Sequence, residues 1–164
     1  MIIIGIDPGA SGAICAWCEK LLISKKCPDS AEKMSNIVLN IKNISYIDGD
    51  GKVLAYLEKV WARPSNATRA AFHFGENYGR WQGVLESHKI PINYVLPNTW
   101  MKYWSKKYDL KLPKDYSEKK KKLKELASYQ TDKKVTLYNS DAILIAAYGF
   151  KLEQDKINER RTRA

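Results

Sequence analysis

The sequence predicts an α/β fold around a mixed β-sheet, three antiparallel strands followed by parallel ones, flanked by helices. Two patterns carry this expectation: short β-branched runs come first and in close succession, and strand-like and helix-like segments alternate after them. Ile2-Ile3-Ile4-Gly5-Ile6 is wholly apolar and bounded by Asp7-Pro8-Gly9, the mark of a buried strand that ends in a turn. Residues 12–17 and 21–26 follow as two further strands. A polar start at Asp29-Ser30 opens a helix in which Met34, Ile37, Val38 and Ile41 recur at helical spacing. Asp48-Gly49-Asp50-Gly51 is a loop, and residues 53–57 form the next strand, with Glu58 at its end.

After Arg63-Pro64-Ser65-Asn66 a long helix runs to about Lys89, with Phe74, Tyr78, Trp81 and Leu85 on one stripe. Gly75, Gly79 and Gly83 repeat every fourth residue in it, each costing ~1 kcal/mol of helix stability relative to alanine. They are therefore expected where another backbone comes close, either the sheet or a partner subunit. Residues 92–96 form a strand stopped by Pro97, and Asn98 is expected to cap a short helix carrying Trp100 and Trp104. Ser117-Glu118 opens a lysine-rich helix, and an apolar helix over 139–150 precedes a charged end with Arg160-Arg161-Thr162-Arg163. The expected organisation is one domain over 1–152 and a basic tail over 153–164.

A chain of 164 residues can bury one core with a sheet and covering helices. Its net charge of +10 calls for an anionic partner: nucleic acid, an acidic protein or an anionic membrane surface. No run approaches the ~18 apolar residues of a membrane span, and Met1-Ile2-Ile3-Ile4-Gly5 lacks the basic start of a signal peptide, so an intracellular protein without a membrane partner is expected. Cys15-Ala16-Trp17-Cys18 has the look of half a zinc or redox site, but no second pair follows. In a strand the two thiols point to opposite faces, which makes them packing residues.

Asp7 ends a buried strand, where site residues of α/β sheets collect, and reads equally as an acid that caps its own turn. Glu58 alone reads as a solvated edge charge, and would meet Asp7 only if their strands were neighbours. Asp141, in the first turn of an apolar helix, is accounted for by the helix dipole. The combination changes the balance. Isolated acids at the ends of apolar elements can converge, their mutual repulsion calls for a divalent cation, and hard oxygen donors of this kind suit Mg²⁺ or Mn²⁺. A pair of such ions ~3.5–4 Å apart serves phosphodiester hydrolysis, which in a basic chain points to a nuclease.

Across nearly its whole length the chain resembles the RuvC-like Holliday-junction resolvases of the ribonuclease H-like superfamily, in particular phage-encoded members. Ile4-Gly5-Ile6-Asp7-Pro8-Gly9 is similar to the family's first catalytic strand, Leu57-Glu58-Lys59-Val60 to its second acidic strand, and Asp141-Ala142-Ile143-Leu144-Ile145-Ala146 to its acidic helix. Phe74-Gly75-Glu76-Asn77-Tyr78-Gly79 resembles the glycine-bearing helix, and Pro97-Asn98-Thr99-Trp100-Met101-Lys102 the segment after the fifth strand. The resemblance implies a ribonuclease H-like fold and a homodimer that cuts four-way or otherwise branched DNA. It also implies two Mg²⁺ ions, replaceable by Mn²⁺, on Asp7, Glu58 and Asp141. The family has an Asp or His three residues before the last Asp; Tyr138 stands there, and the fourth ligand stays open.

By the same resemblance Lys119 and Lys102 bind the scissile phosphate, Lys119 in a catalytic role that offsets developing charge. Lys120, Lys121 and Lys122 would fix the DNA backbone, although a lysine run is also the ordinary solvated face of a helix. Trp61, flanked by Lys59, Arg63 and Pro64, is expected on a surface loop as a platform for unstacked bases rather than in the core. Trp17, Trp81, Trp100 and Trp104 are expected to pack. Two alternatives stand beside the resolvase: a related nuclease on RNA or non-junction DNA, and a nucleic-acid-binding protein whose acidic site has decayed. An actin-like phosphotransferase is disfavoured, since that architecture needs two such domains around its nucleotide.

Overall fold

The computed structural model describes residues 1–61 and 68–163. Chain order runs β1 (Ile2–Ile6), β2 (Ala13–Cys18), β3 (Lys20–Lys26), α1 (Ala31–Asp48), β4 (Val53–Glu58), α2 (Thr68–Ser87), β5 (Ile92–Val95), α3 (Pro97–Lys107), α4 (Tyr116–Ser128) and α5 (Ser140–Arg163). The five strands form one sheet in the order β3-β2-β1-β4-β5. β1, β2 and β3 pair antiparallel, whereas β4 runs parallel to β1 and β5 parallel to β4, so the expected mixed sheet is present.

Alternation along the strands divides the core into two faces. Ile2, Ile4, Ile6, Ile14 and Ala16 pack with Met34, Val38 and Ile41 of α1 and with Trp81 and Leu85 of α2. Ile3, Ala13, Cys15 and Trp17 meet Trp100 and Trp104 of α3, Leu123 and Leu126 of α4, and Ile143 of α5. β1 is therefore covered on both sides, which explains its unbroken apolar run. Cys15 belongs to the second face and Cys18 to the first, on opposite sides as expected, and both are free thiols.

Local chemistry sets the helix starts. The Ser30 hydroxyl accepts from the Lys33 amide at the head of α1, and the Asp115 carboxylate accepts from the Glu118 amide at the head of α4. The expected Asn98 cap is not made: α3 starts at Pro97, Leu96 occupies the cap position, and Asn98 lies inside the first turn. The preset φ of proline suits a first helical position, where its missing N–H costs nothing. The residues read as a charged tail continue α5 to Arg163, buried in its first turns and largely exposed beyond them. Among the described residues, no helix is long and apolar enough to cross a membrane.

Two sets of glycines behave differently. A Cβ on Gly5 would lie 2.4 Å from the Ala142 carbonyl oxygen and the Ala146 amide nitrogen, so the absent side chain is what lets α5 settle on β1. Gly75, Gly79 and Gly83 face open space, with nothing within 4 Å of an added Cβ. Of the two neighbours expected for them, the chain's own sheet is thereby ruled out: α2 turns its apolar stripe inward and its glycines outward.

Candidate active site

Register brings the first two acids together. Ile6 lies opposite Leu57 in the parallel β1–β4 pair, so Asp7, one residue on, and Glu58 leave the same edge side by side. The close approach over Gly5 then sets the first turn of α5, with Asp141, against the same edge. Asp141 is 7% exposed, and the Ser140 hydroxyl donates to its Oδ1 at 3.1 Å.

The Asp7 turn is held from several sides. The Gly9 amide donates to Asp7 Oδ1 at 3.4 Å, the Cys27 thiol donates to the Asp7 carbonyl at 3.1 Å, and the Asn77 amide of α2 donates to the Pro8 carbonyl. Gly12 packs so closely that a Cβ there would lie 2.2 Å from the Asp7 carbonyl oxygen. Across the edge, the buried Trp100 indole of α3 donates to Glu58 Oε1 at 2.9 Å.

The convergence shapes the electrostatics of the site. Burial and the charge of Asp141 push Asp7 above the usual carboxylate range, against the pull of Lys120 and the Gly9 amide. Burial, then Asp7, push Glu58 up to about 8, with Trp100 working the other way. Lys120 of α4 pairs with Asp141 Oδ2. Burial disfavours its charge, but Asp141 and Asp7 override that and hold the ammonium above its ordinary range.

The donor set fits a hard divalent cation in chemistry and in charge. Three carboxylate side chains converge where water is scarce, and burial first, then the negative charge that one ammonium leaves in excess, holds two of them above their normal pKa. Their spacing is looser: among the described residues no three His, Cys, Asp or Glu side chains stand close enough to hold one ion as they are. The Lys120–Asp141 pair occupies part of that space.

The other anticipated residues divide into groups. Trp61 is 60% exposed beside the end of β4, whereas Trp17, Trp81, Trp100 and Trp104 are at most 5% exposed. Lys59 is exposed. Arg63 lies outside the described residues. Lys102 and Lys119 line a groove of about 820 Å³ between α3 and α4 with Lys106 and Lys111, so the lysine that reaches the carboxylates is Lys120 rather than Lys119. Lys121 is exposed, and Lys122 pairs with Glu125 at 2.8 Å. Sequence reasoning treated Trp100 purely as packing; its spacing within α3 gave that much, and the direction of its N–H is a tertiary fact.

The fold and the site together define a ribonuclease H-like α/β domain with an acidic edge. No protein-family description and no curated protein matches the chain in sequence. Among solved structures it is similar to RuvC of T. thermophilus in complex with a Holliday junction substrate. The TM-score is 0.62 at 14% identity, over 93% of this chain and 96% of that one. A second structure of Thermus thermophilus RuvC matches with a TM-score of 0.56 at 13% identity, over 89% and 91% of the two chains. The chain therefore has the RuvC-like fold.

Proposed function

We propose that this protein is a metal-dependent endonuclease of the RuvC kind, which resolves four-way junctions or other branched DNA by paired phosphodiester hydrolysis. The observation that carries the reading is the meeting of Asp7, Glu58 and Asp141, from three elements, at one edge of a RuvC-like fold in a chain of net charge +10.

Asp7, Glu58 and Asp141 would hold Mg²⁺ or Mn²⁺, since all three offer hard carboxylate oxygen. Divalent ions in such a site supply an activated water and stabilise the leaving oxygen. Trp100 orients the Glu58 carboxylate, and the turn clamped by Asn77 and Gly12 orients that of Asp7. Lys120 holds the place of positive charge at Asp141, and with the DNA bound its ammonium is free to face the scissile phosphate. Lys102 and Lys119 grip the backbone in their groove, Lys59, Lys121 and Lys122 add phosphate contacts, as Arg63 does by the resemblance in sequence alone, and Trp61 offers a ring to an unstacked base. Two symmetric cuts call for two sites, hence a homodimer, with the outward glycines of α2 as its contact. The setting is the cell interior, as for a phage-encoded resolvase in a bacterial host.

A second reading has its own observation: Lys120 on Asp141 and the loose spacing of the acids suit a nucleic-acid-binding protein whose site has decayed. One experiment separates the two. With Mg²⁺, a labelled four-way junction should be nicked at paired positions while linear duplex of the same sequence survives. Asp7→Asn, Glu58→Gln and Asp141→Asn should each lower cleavage at least ~100-fold, by removing charge that holds metal, and leave binding nearly intact. Cleavage by all three variants at the parent rate would sink the site, and no cleavage by the parent would select the decayed protein.

A further inference from the structure

Tyr138 stands in the wall shared by two grooves beside the carboxylate edge. The first, about 340 Å³, is lined by Ser11, Tyr116, Ser117, Lys120, Lys121 and Tyr138 among others. Because Lys120 also pairs with Asp141, this groove opens onto the acidic site. The second, about 570 Å³, runs from Tyr138 to Ser24 and Lys25 on β3 and to Lys133 and Lys134 in the α4–α5 connection.

Charge distinguishes this path from the other clefts. Among the described residues, no acidic side chain lines either groove. The cleft beside α2, by contrast, contains Asp29 and Glu76, which pair with its Lys33 and Arg80. Among the described residues, Lys133 donates to the neutral Leu22 carbonyl, and Lys25, Lys121 and Lys134 have no carboxylate partner. The connection is also held in place before any ligand arrives. Buried Asn139 accepts from the Thr136 amide at 2.7 Å and donates to Ser24 Oγ at 2.9 Å and to the Lys134 carbonyl at 3.3 Å, which ties the turn to the edge of the sheet. Tyr138 is 38% exposed and Tyr116 68%, so both rings are accessible.

Uncompensated ammonium groups that flank accessible rings, along grooves on the scale of a small molecule rather than a duplex, match an unpaired nucleic-acid strand. We propose that the strand cut at the acidic edge continues unpaired through both grooves, with a base on Tyr138 and phosphates on Lys121, Lys25 and Lys134. This rests on the nuclease reading and narrows its substrate to branched DNA with single-stranded character next to the scissile phosphate.

The test compares, by fluorescence anisotropy at one salt concentration, a duplex with a single-stranded overhang and the fully paired duplex. The parent should bind the overhang more tightly. Tyr138→Ala should lower overhang affinity about 5- to 100-fold, the loss of one base–aromatic stack, and leave the paired duplex unchanged. Tyr138→Phe should keep the parent affinity. The double variant Lys25→Ala/Lys134→Ala should flatten the salt dependence on the overhang by about 0.7 per lysine in log K against log salt. Equal parent affinity for both DNAs, or equal losses on both, overturns the path; if Tyr138→Ala does not fold, the lysine pair decides. A parent that cleaves branched DNA while Tyr138→Ala holds the overhang normally overturns the path alone. A parent that holds the overhang through Tyr138 but cuts nothing with Mg²⁺ overturns the nuclease reading and leaves the path standing.

Discussion

Glu58 is hard to ionise where it stands. Burial and the neighbouring Asp7 raise it from 4.5 to about 8, so the folded chain holds this proton more firmly than the unfolded chain does. The stabilisation that follows is fully present below about 4.5 and is lost as pH rises through about 8. Glu58→Gln fixes the neutral form. Without divalent cation above pH ~8 it should stabilise the fold by on the order of 1–3 kcal/mol, about 2–4 °C of Tm per kcal/mol, in a thermal melt against the parent. Cleavage should move the other way, rising toward pH ~8 at fixed Mg²⁺ as the carboxylate becomes available to metal. Trp100→Phe removes the one hydrogen bond that favours the charged form, so the rise should shift to higher pH; an unmoved profile would reduce Trp100 to packing.

At the scale of elements, the contact of α5 with β1 decides whether there is a site at all. Gly5→Ala drives a methyl into the backbone of Ala142 and Ala146, neither of which can turn aside, and should destabilise by about 1–3 kcal/mol or more in urea denaturation. Gly79→Ala meets nothing in the chain and should raise the helix stability of the isolated subunit by up to ~1 kcal/mol. If α2 is the dimer contact, the same change should weaken the dimer in sedimentation; a dimer of parent strength would make these glycines plain surface. Neither outcome was legible beforehand, because a glycine in a pattern does not say what lies above it. The choice between Lys119 and Lys120 was equally closed, since neighbouring helix positions point about a quarter-turn apart and only the seating of α4 selects one. That Asp7, Glu58 and Asp141 come to one edge was legible only in their combination, since each acid alone has an ordinary reading, whereas the strands were legible singly because their runs carry period and length together.

For the whole molecule, the net charge of +10 sets the expected response to salt. Affinity for any DNA should fall steeply with salt, by a slope of about −0.9 in log K against log salt for each phosphate neutralised on duplex. A flat response would remove the lysines from the interface. Trp61→Ala should cost affinity on a junction and spare linear duplex, as the ring is 60% exposed and has no unstacked base to meet on paired DNA. Most of the architecture could be read from order and periodicity, but the helical course of residues 151–163 could not, because Leu152 and Ile157 are its only apolar residues and make no stripe to read. The seat of Asp141 over Gly5 carries one more implication, for synthesis. A ribosome delivers β1 before α5, so a nascent chain can present the lysines of α4 while Asp141, the third acid of the edge, has yet to arrive. The edge closes only once α5 has been made and seated on β1, so on the proposed nuclease reading a product that stops short of α5 would bind DNA without cutting it.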